Sequence, residues 1–137
     1  MVSFFERHSA YGILVLRLLI GVRLLWGVAD NVVSWEHMVE FEKFLAQRGV
    51  PMTLFAALIS VYAQFFASLC FILGAFVRPA AVVMIVNFIA ALVIAHRGDS
   101  FVGSYQALTM LCGSLALLFL GAGPASIEQW TRRRRQR

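Results

Sequence analysis

The stretch YGILVLRLLIGVRLLWGVADNVV, residues 11–33, decides the fold, because it is long enough to cross a lipid bilayer and yet contains three charged side chains. Thirteen Leu, Ile and Val residues favour its insertion by roughly 4–8 kcal/mol in total. Arg17, Arg23 and Asp30 oppose insertion by about 7–10 kcal/mol if all three lie near the membrane centre. The segment becomes a stable span only if neighbouring helices, water or a ligand satisfy these charges. The conflict predicts a polar site inside a membrane-embedded bundle.

The composition of the whole chain agrees with this interpretation. With 137 residues, of which 61% are hydrophobic and 14% charged, the chain is too apolar for a soluble domain of its size. Three further apolar stretches, residues 53–76, 80–95 and 105–120, approach the length of a membrane span. The sequence therefore predicts an all-α, integral membrane four-helix bundle and excludes a large soluble catalytic domain.

The longest connection, residues 34–51, predicts a short amphipathic surface helix between the first and second spans. Its apolar residues recur at spacings of three and four, which places them on one helical face: Trp35, Met38, Phe41, Phe44 and Leu45. Gly49 and Pro51 end this helix. We expect it to lie on the outer membrane surface as a cover over the bundle, although a plain spacer would have the same pattern.

The net charge of +5 is concentrated at the C-terminus, where residues 132–137 contain five of the twelve basic side chains. Such a tail after a membrane helix is typical of a topological anchor and not of a nucleic-acid-binding arm. We therefore predict one four-span domain, residues 1–131, and a basic cytoplasmic tail, residues 132–137. The chain is expected to be a multi-pass protein of the bacterial cytoplasmic (inner) membrane with both termini in the cytoplasm.

The depth of each polar residue in the membrane follows from the rise of about 1.5 Å per residue and from the opposite directions of successive helices. By depth, the polar residues within the spans fall into two layers. The midplane layer contains Arg23, Gln64 and Asn87, and the layer nearer the outer face contains Asp30, Asn31, His96 and Gln106. Arg23 and Asp30 are seven residues apart and share a helical face, which predicts one wall of an outward-facing cleft. Interhelical hydrogen bonding would be the alternative role of the polar layer.

The positions of the other charged and reactive residues in the sequence indicate their roles. Arg17 is expected to extend its side chain toward the cytoplasmic headgroups. His96 could donate or accept a proton if it faces Asp30. Cys70 and Cys112 lack a C-x-x-C pairing, which disfavours dithiol redox chemistry. No catalytic residue, metal site or haem site is predicted, because the remaining histidines lie outside the spans.

Several short motifs in this order resemble the DoxX family of small four-span bacterial membrane proteins. They are Arg17-Leu-x-x-Gly21 followed by Gly27, Phe44-Leu-x-x-x-Gly49-x-Pro51, Ile72-Leu-Gly74-x-x-x-Arg78, His96 and Gly121-x-Gly123-Pro-x-Ser126. The family is similar to the small membrane subunit of an archaeal thiosulfate:quinone oxidoreductase. The resemblance implies a four-helix membrane fold and a connection to quinone or redox chemistry.

The chain departs from the family pattern in its charges. Gln64 and Gln106 stand at positions where the family tends to be acidic, and Asn31 stands where a lysine is usual. Arg23 is a charge where the family usually has an apolar residue. At Gln64 and Gln106 the amide therefore retains the capacity for hydrogen bonding but loses the capacity for proton transfer that an acidic residue would have.

These observations lead to a primary hypothesis and two alternatives. The primary hypothesis is an accessory or redox-associated membrane subunit, without catalytic activity of its own, that binds a small molecule such as a quinone or an organic anion. Its expected ligand-binding residues are Arg23, Trp26, Asp30, Asn31, Gln64, Asn87, His96 and Gln106. The alternatives are a small four-span transporter and an assembly subunit of a membrane oxidoreductase. The expected partners are the lipid bilayer and an oxidoreductase subunit, with no nucleic acid; homo-oligomerisation is left open.

Overall fold

The computed structural model describes the backbone of residues 1–137 and every side chain except that of Ala95, and the described residues form helices without any strand. The helices are α1 (Val2–Val33), α2 (Trp35–Gln47), α3 (Thr53–Leu73), α4 (Val77–Ala90) with a π-helical turn (Ala91–Ala95), α5 (Phe101–Leu120) and α6 (Ile127–Arg135). Four of them, α1, α3, α4 with its π turn, and α5, are long and apolar enough to cross a membrane. The predicted all-α four-helix membrane fold is confirmed.

The ends of the spans differ from the predicted ones for local reasons. Helix α1 begins at Val2, nine residues before the apolar run, because nothing in its polar first turns breaks a helix. Helix α3 ends at Leu73 because Gly74 adopts φ +69°, a left-handed conformation that glycine reaches without steric cost. The amide of Ala75 then bonds the carbonyl of Cys70, which closes the helix end.

Helix α2 is the predicted amphipathic helix. Its buried residues, Met38 and Leu45, pack with Val28 of α1 and with Ala57 and Val61 of α3. The chain leaves the helix through Gly49, which has φ +74°. This helix therefore covers one end of the bundle through its apolar face, as the spacing of its residues predicted.

The two ends of the bundle have different characters. Because the spans alternate in direction, the start of α1, the α3–α4 turn and α6 lie together at what we call the terminal end. Helix α2 and the connection between the π turn and α5 lie at the opposite end, which we call the cavity end. Helix α1 packs mainly against α3, and α4 packs mainly against α5.

Arg17 differs from its expected position. Its side chain is only 1% exposed and donates hydrogen bonds to the carbonyl oxygens of Ala122 and, at 2.9 Å, Ala125. The expectation that it extends to the headgroups is wrong, because backbone carbonyls after α5 lie close enough to accept its protons inside the bundle. Gly74 makes room for it: a methyl group there would come within 2.6 Å of the guanidinium and 2.5 Å of Ser126 Cβ.

The residues after α5 are held against the α3–α4 turn. The amide of Glu128 donates to the carbonyl of Gly74 at 3.2 Å, and the carboxylate of Glu128 accepts from the amide of Val77 at 3.1 Å. The hydroxyl of Ser126 caps α6 by accepting from the amide of Gln129. Helix α6 crosses the predicted boundary at residue 131, and the division into a domain and a tail stays a prediction.

Candidate functional site

The cavity end contains a cavity of about 650 Å³, which lies between the membrane-spanning helices and is covered by α2. Its apolar walls include four phenylalanines, Phe41, Phe44, Phe55 and Phe88. Its polar groups are fewer and come from all four spans and the connection after the π turn: Arg23, Asn31, Ser60, Gln64, Asn87, His96 and Gln106. An apolar cavity with a few converging polar groups is typical of a small-molecule site.

Arg23 is the arginine that lines this cavity. With the amide of Gln106 oriented so that its oxygen faces the guanidinium, this oxygen accepts from Nε of Arg23 at 3.3 Å and also from Nη2. The side chain of Arg23 lies along its own helix over Gly27, where an added methyl group would be 3.0 Å from Nη1. Among the described side chains, no carboxylate lies within 4.0 Å of Arg23. The guanidinium is therefore hydrogen-bonded to a neutral amide and not paired with a carboxylate.

A second polar group joins α3 to α4 across the cavity. The amide nitrogen of Gln64 donates to the hydroxyl of Ser60 at 3.2 Å, and this hydroxyl donates to the side-chain oxygen of Asn87 at 2.9 Å. Ser60 and Gln64 are one turn apart on α3 and so point in the same direction. This chain of hydrogen bonds connects the polar side chains that α3 and α4 contribute to the cavity.

Helix α2 is attached to the spans on both of its sides. Near its start, the side chain of Asn31 donates to the carbonyl of His37 at 3.0 Å. Near its end, the carboxylate of Glu42 accepts from the hydroxyl of Thr53 at 2.9 Å. The rings of Phe41 and Phe44 are nearly parallel, with centroids 6.3 Å apart, and line the cavity. The cover over the site is therefore apolar on its inner side.

An ion pair links this cover to the other half of the bundle. Arg48, directly after α2, donates to Asp99 at 3.1 Å, and the ring of His96 lies 2.9 Å from the other oxygen of Asp99. The guanidinium of Arg48 also lies 5.2 Å from the centroid of Phe44. Hydrogen bonds from His96 and from Arg48 lower the pKa of Asp99 below its usual value.

The structure brings together six of the eight residues expected to bind a ligand, Arg23, Asn31, Gln64, Asn87, His96 and Gln106, around one cavity. Trp26 and Asp30 do not line it, and Trp26 is 80% exposed on the outside of the bundle. The reason that these two residues lie outside the cavity is geometrical. Gly27 and Asn31 lie about 40° and about 80° around α1 from Arg23, whereas Asp30 and Trp26 lie about 20° and about 60° in the opposite direction.

Arg23 lines the cavity, and its long side chain extends over Gly27, which lies further into the cavity face. The shared face of Arg23 and Asp30 is therefore the edge of the cavity face and not its centre. His96 likewise contacts Asp99 and not Asp30, so the condition for proton exchange between His96 and Asp30 is not met in this arrangement.

Two parts of the site were missed by sequence reasoning. Ser60 connects two of the expected residues, and its spacing of four from Gln64 was a signal for it. The π turn, where the amide of His96 bonds the carbonyl of Ala91, widens the end of α4 beside the cavity. Such turns occur frequently at functional sites. The residues of this turn, ALVIA, carry no signal that distinguishes a π turn from an ordinary helix.

The comparisons with known proteins agree with the fold. The DoxX family model matches residues 12–97, which is more than half of the chain and includes five of the six cavity-lining residues that were expected. Inner membrane protein YphA of Escherichia coli (strain K12) is 25% identical to the chain, over 92% of this chain and 96% of the relative. No solved structure shows a significant match. The chain is a membrane protein that belongs to the DoxX family.

Proposed function

We propose that this DoxX protein binds a small molecule with an apolar body and a carbonyl or anionic group, such as a quinone or an organic anion, in the cavity. The proposal rests mainly on the surroundings of Arg23. Its guanidinium donates hydrogen bonds to the neutral amide of Gln106, within a cavity lined mostly by apolar side chains. A guanidinium in such surroundings favours an oxygen acceptor, because the low local dielectric strengthens the interaction.

The other lining residues support the same ligand class. None of the described residues around the cavity is Asp or Glu, so an anion would meet no repelling carboxylate there. The amides of Gln64, Asn87 and Gln106 could orient carbonyl oxygens. The phenylalanines Phe41 and Phe44 offer flat apolar surfaces to a ring. A cavity of about 650 Å³ has the volume of typical small-molecule sites.

A binding role is favoured over proton-coupled transport. Small four-span carriers need a carboxylate within the membrane, and Asp30, the candidate in this chain, is exposed and outside the cavity. We further propose that the protein acts as an accessory or assembly subunit in a bacterial inner membrane, with both termini in the cytoplasm. The similarity to an inner membrane protein and the arginines of α6 support this location and orientation.

Ligand titrations of the purified protein in detergent would test the proposal. A short-chain ubiquinone analogue and benzoate represent the two ligand classes, and we expect at least one of them to bind. Arg23→Gln should weaken that binding by at least tenfold, because a charge-assisted hydrogen bond contributes about 1.5–3 kcal/mol. Arg23→Lys, which keeps the charge, should retain part of the affinity.

The matched control is Arg97→Gln, which removes the same charge from an exposed position at the same end of the bundle. This variant should bind as the original protein does. If neither probe binds, and mass spectrometry of the purified protein finds no co-purifying small molecule, the proposal is refuted. Equal losses in the two glutamine variants would also refute the assignment to Arg23.

A further inference from the structure

A second concave surface lies at the terminal end, away from the cavity. It is a groove of about 560 Å³ between the first half of α1, the end of α3 and the face of α6 that looks toward them. Tyr11 and Leu73 form its apolar side, and Gln129, Trp130 and Arg133 form the side contributed by α6. Tyr11, Leu73 and Trp130 are each more than half exposed, so the groove is open to its surroundings.

The groove is strongly basic along one side. Helix α6 ends with four consecutive arginines, residues 132–135, of which Arg133 lines the groove. The guanidinium of Arg134 stacks on Trp130 at 3.8 Å from the ring centroid. Among the described residues, no carboxylate lies within 4.0 Å of these arginines. The nearby Glu128 is already hydrogen-bonded to the amide of Val77.

The shape of the groove is fixed by the bonds that hold α6 in place. The cap of α6 by Ser126, the backbone bond from Glu128 to Gly74 and the bond from Arg17 to Ala125 all anchor the segment that precedes the arginines. A basic tail that merely followed the last span would have no such attachment. Arg133 and Trp130 are therefore held beside Tyr11 before any ligand arrives, which lowers the entropic cost of binding.

We propose that this groove binds one anionic phospholipid of the surrounding bilayer, with its phosphate near Arg133 and an acyl chain along Tyr11 and Leu73. The occupant is argued from complementarity. A ligand here must be anionic toward α6 and apolar toward the spans, and it must lie at the depth where Trp and Tyr side chains occur in membranes. An anionic phospholipid meets all three conditions and is present around a membrane protein. This site is independent of the ligand of the cavity.

Native mass spectrometry of the full chain, reconstituted with equal amounts of phosphatidylglycerol and phosphatidylcholine, tests this assignment. We expect one phosphatidylglycerol molecule to stay bound in preference to phosphatidylcholine. Arg133→Gln should reduce its retention about fivefold, the factor that corresponds to one arginine near an anionic headgroup. Trp130→Ala should also reduce retention, because it removes part of the groove wall.

Two matched controls distinguish a specific lipid site in the groove from a general attraction between the basic helix and anionic lipids. Arg137→Gln removes an equal charge beyond the end of α6, and Trp26→Ala removes an exposed tryptophan from the cavity end. Both should retain the lipid. Equal losses in Arg133→Gln and Arg137→Gln, or equal retention of the two lipids, would overturn the proposal. Displacement of the lipid by millimolar inorganic phosphate would overturn the lipid assignment and indicate a site for free phosphate. Circular dichroism would confirm that each variant is folded.

Discussion

The substitution Gln106→Glu tests whether Gln106 is the partner of Arg23 in the cavity. It keeps the size of the side chain and places a carboxylate where an amide oxygen lies 3.3 Å from Nε of Arg23. Two opposite charges about 4 Å apart attract each other by about 4 kcal/mol at an effective dielectric constant of 20. Desolvation of the carboxylate offsets most of this attraction. We expect a net gain of about 1 kcal/mol in the free energy of unfolding.

The same substitution should have the opposite effect on ligand binding. A carboxylate at position 106 would neutralise Arg23 and repel an anionic probe, so benzoate should bind at least tenfold more weakly, a change of about 1.4 kcal/mol or more. Stability would be measured by reversible unfolding in detergent micelles, and binding by titration of the same samples. A purely structural role for Arg23 would give the gain in stability without the loss of binding.

The matched control is Gln47→Glu, the same substitution at an exposed position at the end of α2. It should change the free energy of unfolding by less than about 0.5 kcal/mol and leave binding unchanged. A loss of stability of more than about 1 kcal/mol in Gln106→Glu would refute the pairing with Arg23, because it would show that the new carboxylate has no counter-ion in the cavity wall. Unchanged benzoate affinity would refute the place of Arg23 in the ligand site.

Two further predictions concern the ends of the bundle. Gly74→Ala should lower the free energy of unfolding by about 2–5 kcal/mol, because it combines a left-handed backbone with a clash. Gly49→Ala, also left-handed but with open space around it, should cost only about 1–2 kcal/mol; equal costs would contradict the close packing after α5. The second prediction concerns Asp99, whose pKa is lowered by hydrogen bonds from His96 and Arg48. This carboxylate should stabilise the folded state at neutral pH, and the contribution should be lost as the pH falls below about 4. Asp99→Asn should remove this acidic pH dependence, and an unchanged profile of stability against pH would contradict it.

Much of the candidate site was predictable because its residues are polar within apolar helices. Gln64 and Asn87 attract attention in a membrane span for the same reason that Arg23 does, namely the cost of leaving them without partners in hydrocarbon. Trp26 and Asp30 lie outside the cavity because a shared helical face predicts direction only to within the width of that face. Which part of the face meets the cavity depends on how α1 is rotated against its neighbours, and sequence spacing does not contain that rotation.

The charges of α1 show what each level of structure decides. The sequence by itself determined that the chain is a four-span membrane protein, because hydrophobic length and the order of turns depend on local chemistry alone. It also determined that Arg17 and Arg23 need partners. Only the tertiary structure decided which ones: backbone carbonyls after α5 for Arg17, and the amide of Gln106 for Arg23. The physical reason is that these partners are 83 to 108 residues away along the chain and become neighbours only when the helices pack.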